Sequence, residues 1–506
     1  MKMMGKKSVF NWNLLWLLLG STALLFMGGK WNISFVTWIG PVFLLRFFRT
    51  CTHWRQTLVA IPLVLAASFV FMIGLMPFPP EISVLAWVIA TIIVTIFNLL
   101  PYFVDWMLAR RLAGLWSALV FPAAVSVIHS LYSLSPTGTG GAWVYSLWEM
   151  KSLIQVVSLT GIWGLSFLVA FFASTVNAWW EQGFELQKTK NTVLVFTVLL
   201  SLVLVYGGLR RTFFLPAAET VKVGSVVVEW PENNLFWRYL LMEKASEEKA
   251  PEYRRHSLRM QDELFNLSEQ LIPAGIKFLA WPTGNAVVFA EDEPAYIERV
   301  RAFAREHGIY FFPSILLIRP GAVYTENKVL AVTPDGEVAF VYHKTEASFD
   351  EPLEEPSGKL MFLDTLYGRV STAICLDMDF PGLIRQAGRN KVDIMLVAAD
   401  SPTVPISRYH TEMAMFRGIE NGFSTVRTVL EGLTMSTDYQ GRVLSRMDYY
   451  TTREKTLITH VPVKGVNTLY SAWGDWLVWL SALFLLISTG RAVSAGRQKI
   501  QRNNNA

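Results

Sequence analysis

Apolar positions gather into long unbroken runs over the first two-fifths of the chain and then break into short ones. Seven runs, at about 11–26, 32–45, 57–76, 82–100, 112–130, 153–178 and 192–206, precede a long mixed segment, and an eighth follows it at about 474–488. A helix needs about 20 mostly apolar residues to cross the hydrocarbon core of a bilayer. The pattern therefore predicts an eight-helix transmembrane bundle, in which the second, seventh and eighth runs recruit flanking residues. Trp12, Trp31, Trp106, Trp473 and Trp476 lie near run ends, where amphipathic rings suit the lipid–water interface.

Between the seventh and eighth runs the period changes. Short β-rich runs at 221–230, 276–281, 309–316, 328–334, 368–375, 392–400 and 422–429 alternate with helix-like segments at 294–308 and 409–422. Strand–helix alternation is the pattern of an α/β layered fold, and about 260 residues is the size of one large domain. The expected division is a membrane bundle of seven helices over 1–208, an α/β domain over 209–472, an eighth span over 473–490 and a basic tail over 491–506.

Charge orients this plan. Lys2, Lys6 and Lys7 precede the first run; Arg46, Arg49 and Arg55 follow the second; Arg110 and Arg111 follow the fourth; Lys188 and Lys190 follow the sixth; Arg491, Arg497, Lys499 and Arg502 follow the eighth. The alternate loops carry only Lys30 and Lys151. Basic loops stay on the cytoplasmic side, so both termini are expected there and 209–472 outside. Composition agrees: 52% of residues are apolar and only 17% charged, with mean hydropathy +0.34, against about a quarter charged in soluble domains. The net charge of +5 comes from these clusters and reads as topology rather than nucleic-acid binding.

Two cysteines, Cys51 and Cys375, cannot make a disulfide framework. The seven histidines are dispersed, with no His-x-x-x-His pair, so no metal site or cofactor is expected. The stretch SPTGTGGAW (135–143) has glycines but lacks the lysine of a phosphate-binding loop, and reads as a flexible outer loop at the lipid surface. Cys375, in AICLDMDFP (373–381), ends an apolar strand-like run. A lone cysteine there is ordinarily a small core hydrophobe; the functional alternative is a nucleophile at the C-terminal end of a strand, where α/β folds build their sites. A thiolate needs a nearby cation or base. Lys344, after the TPDGE turn and the strand-like AFVYH, is the candidate cation. Glu346, Asp350, Glu351, Asp377, Asp400 and Glu431 are candidate bases, and spacing does not choose among them.

Six stretches carry a resemblance. SLTGIWGLSFLV (158–169), FLAWPTGNA (278–286), YHKTEASFDE (342–351), AICLDMDFP, HTEMAMFRGIENGFSTVR (410–427) and TLYSAWGDW (468–476) stand in the order of the corresponding motifs of the apolipoprotein N-acyltransferase family. That family joins a membrane bundle to a nitrilase-like (carbon–nitrogen hydrolase) domain. The resemblance implies an α-β-β-α sandwich outside a bacterial inner membrane and a Glu–Lys–Cys triad. It also implies a phospholipid acyl donor and a lipoprotein amine acceptor, served through a Cys thioester. It aligns Cys375 and Lys344 with the triad, Glu351 with a carboxylate that supports the site, and Trp237 with a substrate-contacting tryptophan. Thr283 stands where the family has its catalytic Glu, Leu376 replaces a Tyr and Asp377 a Glu, and the stretch from Lys344 to Glu351 is one residue shorter. The missing Glu keeps a second reading open: a silent or divergent relative that binds lipid or lipoprotein, or that acts as an amidase or acylates another amine.

Overall fold

The computed structural model describes the chain apart from residues 1–11, 76–83, 217, 230–238, 240–244, 323–324, 348–355, 402 and 505–506. Trp237, Asp350 and Glu351 therefore lie outside the described residues. Six helices among those described are long and apolar enough to cross a membrane: Trp54–Leu75, Trp87–Arg111, Gly114–Tyr132, Ile162–Glu181, Leu186–Phe213 and Trp476–Ser494. A shorter apolar helix, Trp12–Leu24, and the helix Ser34–Thr50 fall on the first two runs. Apolar side chains alone give helices little reason to associate in lipid, so polar contacts matter there. Arg49 makes a bidentate pair with Asp105, through Nε and Nη2 at 2.9 Å each, and also reaches Ser174.

Two runs differ from expectation. The run at 153–178 is not one helix: short turns at Leu153–Val156 and Val157–Thr160 end at Gly161, whose φ of +65° stops the helix, and the long helix restarts at Ile162. The run at 192–206 extends at both ends into the 28-residue helix Leu186–Phe213. Its polar end is held because Arg210 donates to Gln155 Oε1 at 2.8 Å.

The α/β part has fourteen strands among the described residues. They are β1 (Thr220–Val226), β2 (Phe278–Ala280), β3 (Ala286–Phe289), β4 (Tyr310–Phe312), β5 (Ser314–Ile318), β6 (Glu326–Val332) and β7 (Val338–His343). There follow β8 (Phe362–Thr365), β9 (Gly368–Ile374), β10 (Ile394–Asp400), β11 (Ser424–Leu430), β12 (Leu433–Thr437), β13 (Val443–Asp448) and β14 (Thr456–Pro462). One sheet runs β14-β1-β2-β4-β6-β5-β3, with β7 on β6; the other runs β13-β12-β11-β10-β9-β8. The centre of the second sheet, β9-β10-β11, is parallel, and its strands are buried over nearly their whole length, as strands covered on both faces are. The sheets face each other: Val221, Val223 and Phe278 of one pack with Val370, Ile394 and Val426 of the other, and the Thr428 hydroxyl donates to Ser225 Oγ across the gap at 2.8 Å.

Helices Ala250–Glu269 and Glu293–His307 cover the first sheet, through Met260, Leu264, Phe265, Tyr296 and Val300. Pro381–Arg389 and Val404–Asn421 cover the second. The result is an α-β-β-α sandwich. Helix Val404–Asn421 is buried nearly all round. Its Ala414 packs with the second sheet, while Tyr409, Met413, Phe416 and Ile419 pack with Trp163, Leu165 and Phe196 of the apolar helices. A helix with two buried faces loses the usual polar stripe, and this one joins bundle and sandwich.

Candidate functional site

Three parallel strands end side by side at the site. After β9, Cys375 adopts φ +48° and opens a short 3₁₀ turn, Cys375–Asp379, before helix Pro381–Arg389. A non-glycine residue at positive φ stores backbone strain, and such strain concentrates at functional positions. The side chain is partly exposed; its Sγ donates to the Asp400 carbonyl at the end of β10 at 3.3 Å, and the Cys375 carbonyl accepts from Arg427 Nη1 of β11 at 3.4 Å.

Asp377 ties this elbow to the Lys344 segment. Its carboxylate is fully buried. Oδ2 accepts from Ile374 N at 2.9 Å and from the Tyr342 hydroxyl at 2.7 Å; Oδ1 accepts from Thr345 N at 3.1 Å and Glu346 N at 2.8 Å. One carboxylate thus grips the residue before Cys375, the Tyr342 hydroxyl two residues ahead of Lys344 and the two residues after it. Burial pushes its pKa up to about 6, against those hydrogen bonds and the field of the Lys344 ammonium. Lys344 is itself buried, and its N–H donates to the Asn327 carbonyl at 2.8 Å.

Thr283 lies in the break between β2 and β3, where Pro282 has no N–H to give and Gly284 has φ +77°. It is buried, and its hydroxyl donates to Asn327 Oδ1 at 2.8 Å. Asn327 therefore touches both Thr283 and the Lys344 main chain, so the position expected for the base is linked to the Lys344 segment through a hydroxyl.

The candidate bases separate. Asp377 is occupied as a tether. Asp400 Oδ1 accepts from Ser401 N at 2.7 Å. Glu431 stands at φ +52° just past β11, with its pKa raised by burial and by Glu229. Burial raises Glu346 as well. Sequence reasoning missed Asp379, at the end of the elbow turn. Its carboxylate is 1% exposed and neither oxygen has a hydrogen-bond partner; His410 Nε2 lies 3.4 Å from Oδ2. Burial pushes Asp379 up to about 6, opposed by the charges of His410, Arg427 and Arg417 and reinforced by Cys375. An acid two residues beyond Asp377, with a histidine in the 409–422 segment, was the available signal.

The loop at 135–143 is not a free outer loop. Thr139 N and Oγ1 both donate to the Asp379 carbonyl, at 2.9 and 2.8 Å, and Tyr409 donates to the Gly140 carbonyl at 2.8 Å. A Cβ on Gly138 would stand 2.6 Å from that same Asp379 oxygen, so the glycine permits the loop to dock.

A cysteine elbow at the edge of a two-sheet α-β-β-α sandwich defines the class. Residues 213–469, just over half of the chain, match the family model described as carbon-nitrogen hydrolase, and the chain belongs to that family. It is similar to the apolipoprotein N-acyltransferase of Geobacter metallireducens, 25% identical over 459 residues, covering 78% of this chain and 82% of that one. It is similar also to the apolipoprotein N-acyltransferase of Thermotoga maritima, 22% identical over 84% of this chain and 80% of that one. Among solved structures, an amidase from Nesterenkonia sp. aligns over 52% of this chain and 97% of its own, at 16% identity and a TM-score of 0.40.

Proposed function

We propose that this protein is an integral membrane N-acyltransferase that moves an acyl chain from a phospholipid to the N-terminal amine of a lipoprotein through a thioester on Cys375. The observation that carries the reading is the Asp377 tether, which binds the residue before Cys375 and the two residues after Lys344. It is supported by the names of relatives aligned over about four-fifths of their length and by apolar helices packed on the sandwich.

The chemistry follows from the groups. Cys375 Sγ attacks the acyl ester carbonyl. The tetrahedral oxyanion is stabilised by the Lys344 ammonium and nearby N–H groups. The ester C–O bond breaks, and the lysophospholipid leaves with the thiol proton. The amine then attacks the thioester, an amide forms and the thiol is regenerated, which makes the kinetics ping-pong. Glu351 supports the site, and Trp237 contacts substrate; both assignments rest on the resemblance. The bundle crosses a bacterial inner membrane eight times, with both termini cytoplasmic and the sandwich outside, so that acyl chains reach Cys375 from the outer leaflet.

The test uses the full chain in nanodiscs with labelled phospholipid and a synthetic diacylated lipopeptide whose N-terminal cysteine amine is free. N-acylated peptide is expected from the native protein and not from Cys375→Ala. No N-acylated peptide from the native protein overturns the reading. One observation favours a second: a hydroxyl at Thr283, bonded to Asn327, in place of a carboxylate base, which suits a silent relative that binds lipid or lipoprotein. Binding of the lipopeptide without turnover, in native protein and Cys375→Ala alike, is its signature.

A further inference from the structure

The last carbonyl of the elbow turn, that of Asp379, is not satisfied by its own neighbourhood. Its donors come from the loop at 135–143, some 240 residues earlier in the chain: Thr139 N at 2.9 Å and Thr139 Oγ1 at 2.8 Å. Thr139 is in turn held from behind. Its Oγ1 accepts from the Tyr145 hydroxyl at 2.7 Å, and Tyr145 Oη accepts from Arg417 Nη2 at 2.8 Å. Arg417 is ion-paired with Glu420 at 3.1 Å, and Glu420 Oε1 accepts from Ile162 N, the first residue of a long apolar helix, at 2.8 Å.

Every donor in this chain points the same way, from Arg417 through Tyr145 and Thr139 to the elbow. Each hydroxyl proton is used once, and each hydroxyl oxygen accepts once. Donor chains of this kind polarise one another and cost most when broken inside a low-dielectric interior. All the members are buried: Thr139 at 1%, Tyr145, Arg417 and Glu420 at 0%. Burial also pushes the Tyr145 phenol up, so it keeps the proton that it donates. The Tyr145 ring is fixed edge-on by Tyr409 and Phe416. The elbow turn spans only five residues and begins at a strained Cys375, so a turn this short has little of its own to hold its far end.

We propose that Thr139, backed by Tyr145, is a positioning residue for Cys375: the loop between two apolar helices sets the orientation of the elbow from which the thiol projects. The Cys375 position is thereby made conditional on the docking of the membrane part. The proposal rests on Cys375 being the reactive thiol of the site, but its test reads the thiol directly.

The experiment measures the rate of Cys375 alkylation by iodoacetamide at fixed pH in the full chain in nanodiscs, with Cys375→Ala supplying the background from Cys51. The variants are Thr139→Val, which keeps shape and removes the hydroxyl, Thr139→Ser, which restores it, and Tyr145→Phe, which keeps the ring; the Tm of each is recorded. The expected result is a fall of about three- to tenfold for Thr139→Val and Tyr145→Phe, the equivalent of one hydrogen bond, with Thr139→Ser returning to within about twofold of native. Unchanged or faster alkylation in Tyr145→Phe, or a loss that Thr139→Ser does not restore, overturns the proposal. Tyr145→Phe decides alone if Thr139→Val does not fold. Failure of acyl transfer with this pattern intact would instead count against the acyltransferase reading.

Discussion

Replacing Asp379 by asparagine should make the protein more stable at neutral pH and leave its stability unchanged at pH 4. The carboxyl is 1% exposed, and neither oxygen receives a hydrogen bond. Burial raises its pKa from the ordinary 3.8 to about 6, although His410, Arg427 and Arg417 pull the other way. The sign follows from proton counting. Between about pH 4 and 6 the folded state holds a proton that the unfolded state has released, so stability from this group declines as pH rises through that window. A difference of about two pKa units, at 1.36 kcal/mol each, is about 3 kcal/mol once both states are ionised. Asparagine stays neutral throughout and avoids that cost. The assay is thermal unfolding of native and Asp379→Asn protein in detergent from pH 4 to 8. The difference in Tm should be near zero at pH 4, grow through pH 5 and 6, and level off by pH 7 at several degrees in favour of the variant. Comparing the two proteins cancels the titration of Asp377, also near 6, and of Glu420, near 7. A variant less stable than native at pH 7.5, or a difference that does not change with pH, would refute the reasoning and mean that His410 and the two arginines compensate the ionised carboxylate fully.

Asp377→Asn keeps the volume but places an amide where four donors converge, so at least one backbone N–H is stranded; Cys375 alkylation should slow about fivefold or more, a stranded donor being worth about 1–3 kcal/mol, and the measurement is the same iodoacetamide rate. Thr283→Glu puts a carboxylate beside Asn327; if the hydroxyl is what limits turnover, acyl transfer should rise by up to about 10²–10⁴-fold, read as initial rate at saturating lipid. Gly422→Ala should unfold the sandwich well below the native Tm, because Gly422 has φ +82° and a Cβ there would stand 1.8 Å from the Val466 carbonyl; a Tm within about two degrees of native would contradict it.

Periodicity carried most of the fold. The long apolar runs and the seven β-rich runs correspond to helices and strands because unbroken apolar runs and buried parallel strands are both strong signals. What escaped has a physical reason in each case. Strands β13 and β14 carry Ser445, Arg446, Thr456, Thr459 and His460, and partly exposed antiparallel strands lack a continuous apolar run. Helix Ala250–Glu269 is polar except for one narrow face of Tyr253, Met260, Leu264 and Phe265. Cys375 and Lys344 could be singled out from residue type and resemblance, but the tether could not. Three of the four donors to Asp377 are backbone N–H groups, which every residue but proline possesses. The loop at 135–143 misled for a similar reason: its glycines suggest freedom, whereas Gly138 is there to let a carbonyl approach.

The central claim is that an acyl group rests on Cys375. Native protein in nanodiscs, given phospholipid and no amine acceptor, should gain one acyl mass by intact-protein mass spectrometry. The label should map to the peptide containing Cys375 and be released by neutral hydroxylamine. No adduct on the native protein, or an adduct that persists in Cys375→Ala, would contradict the account.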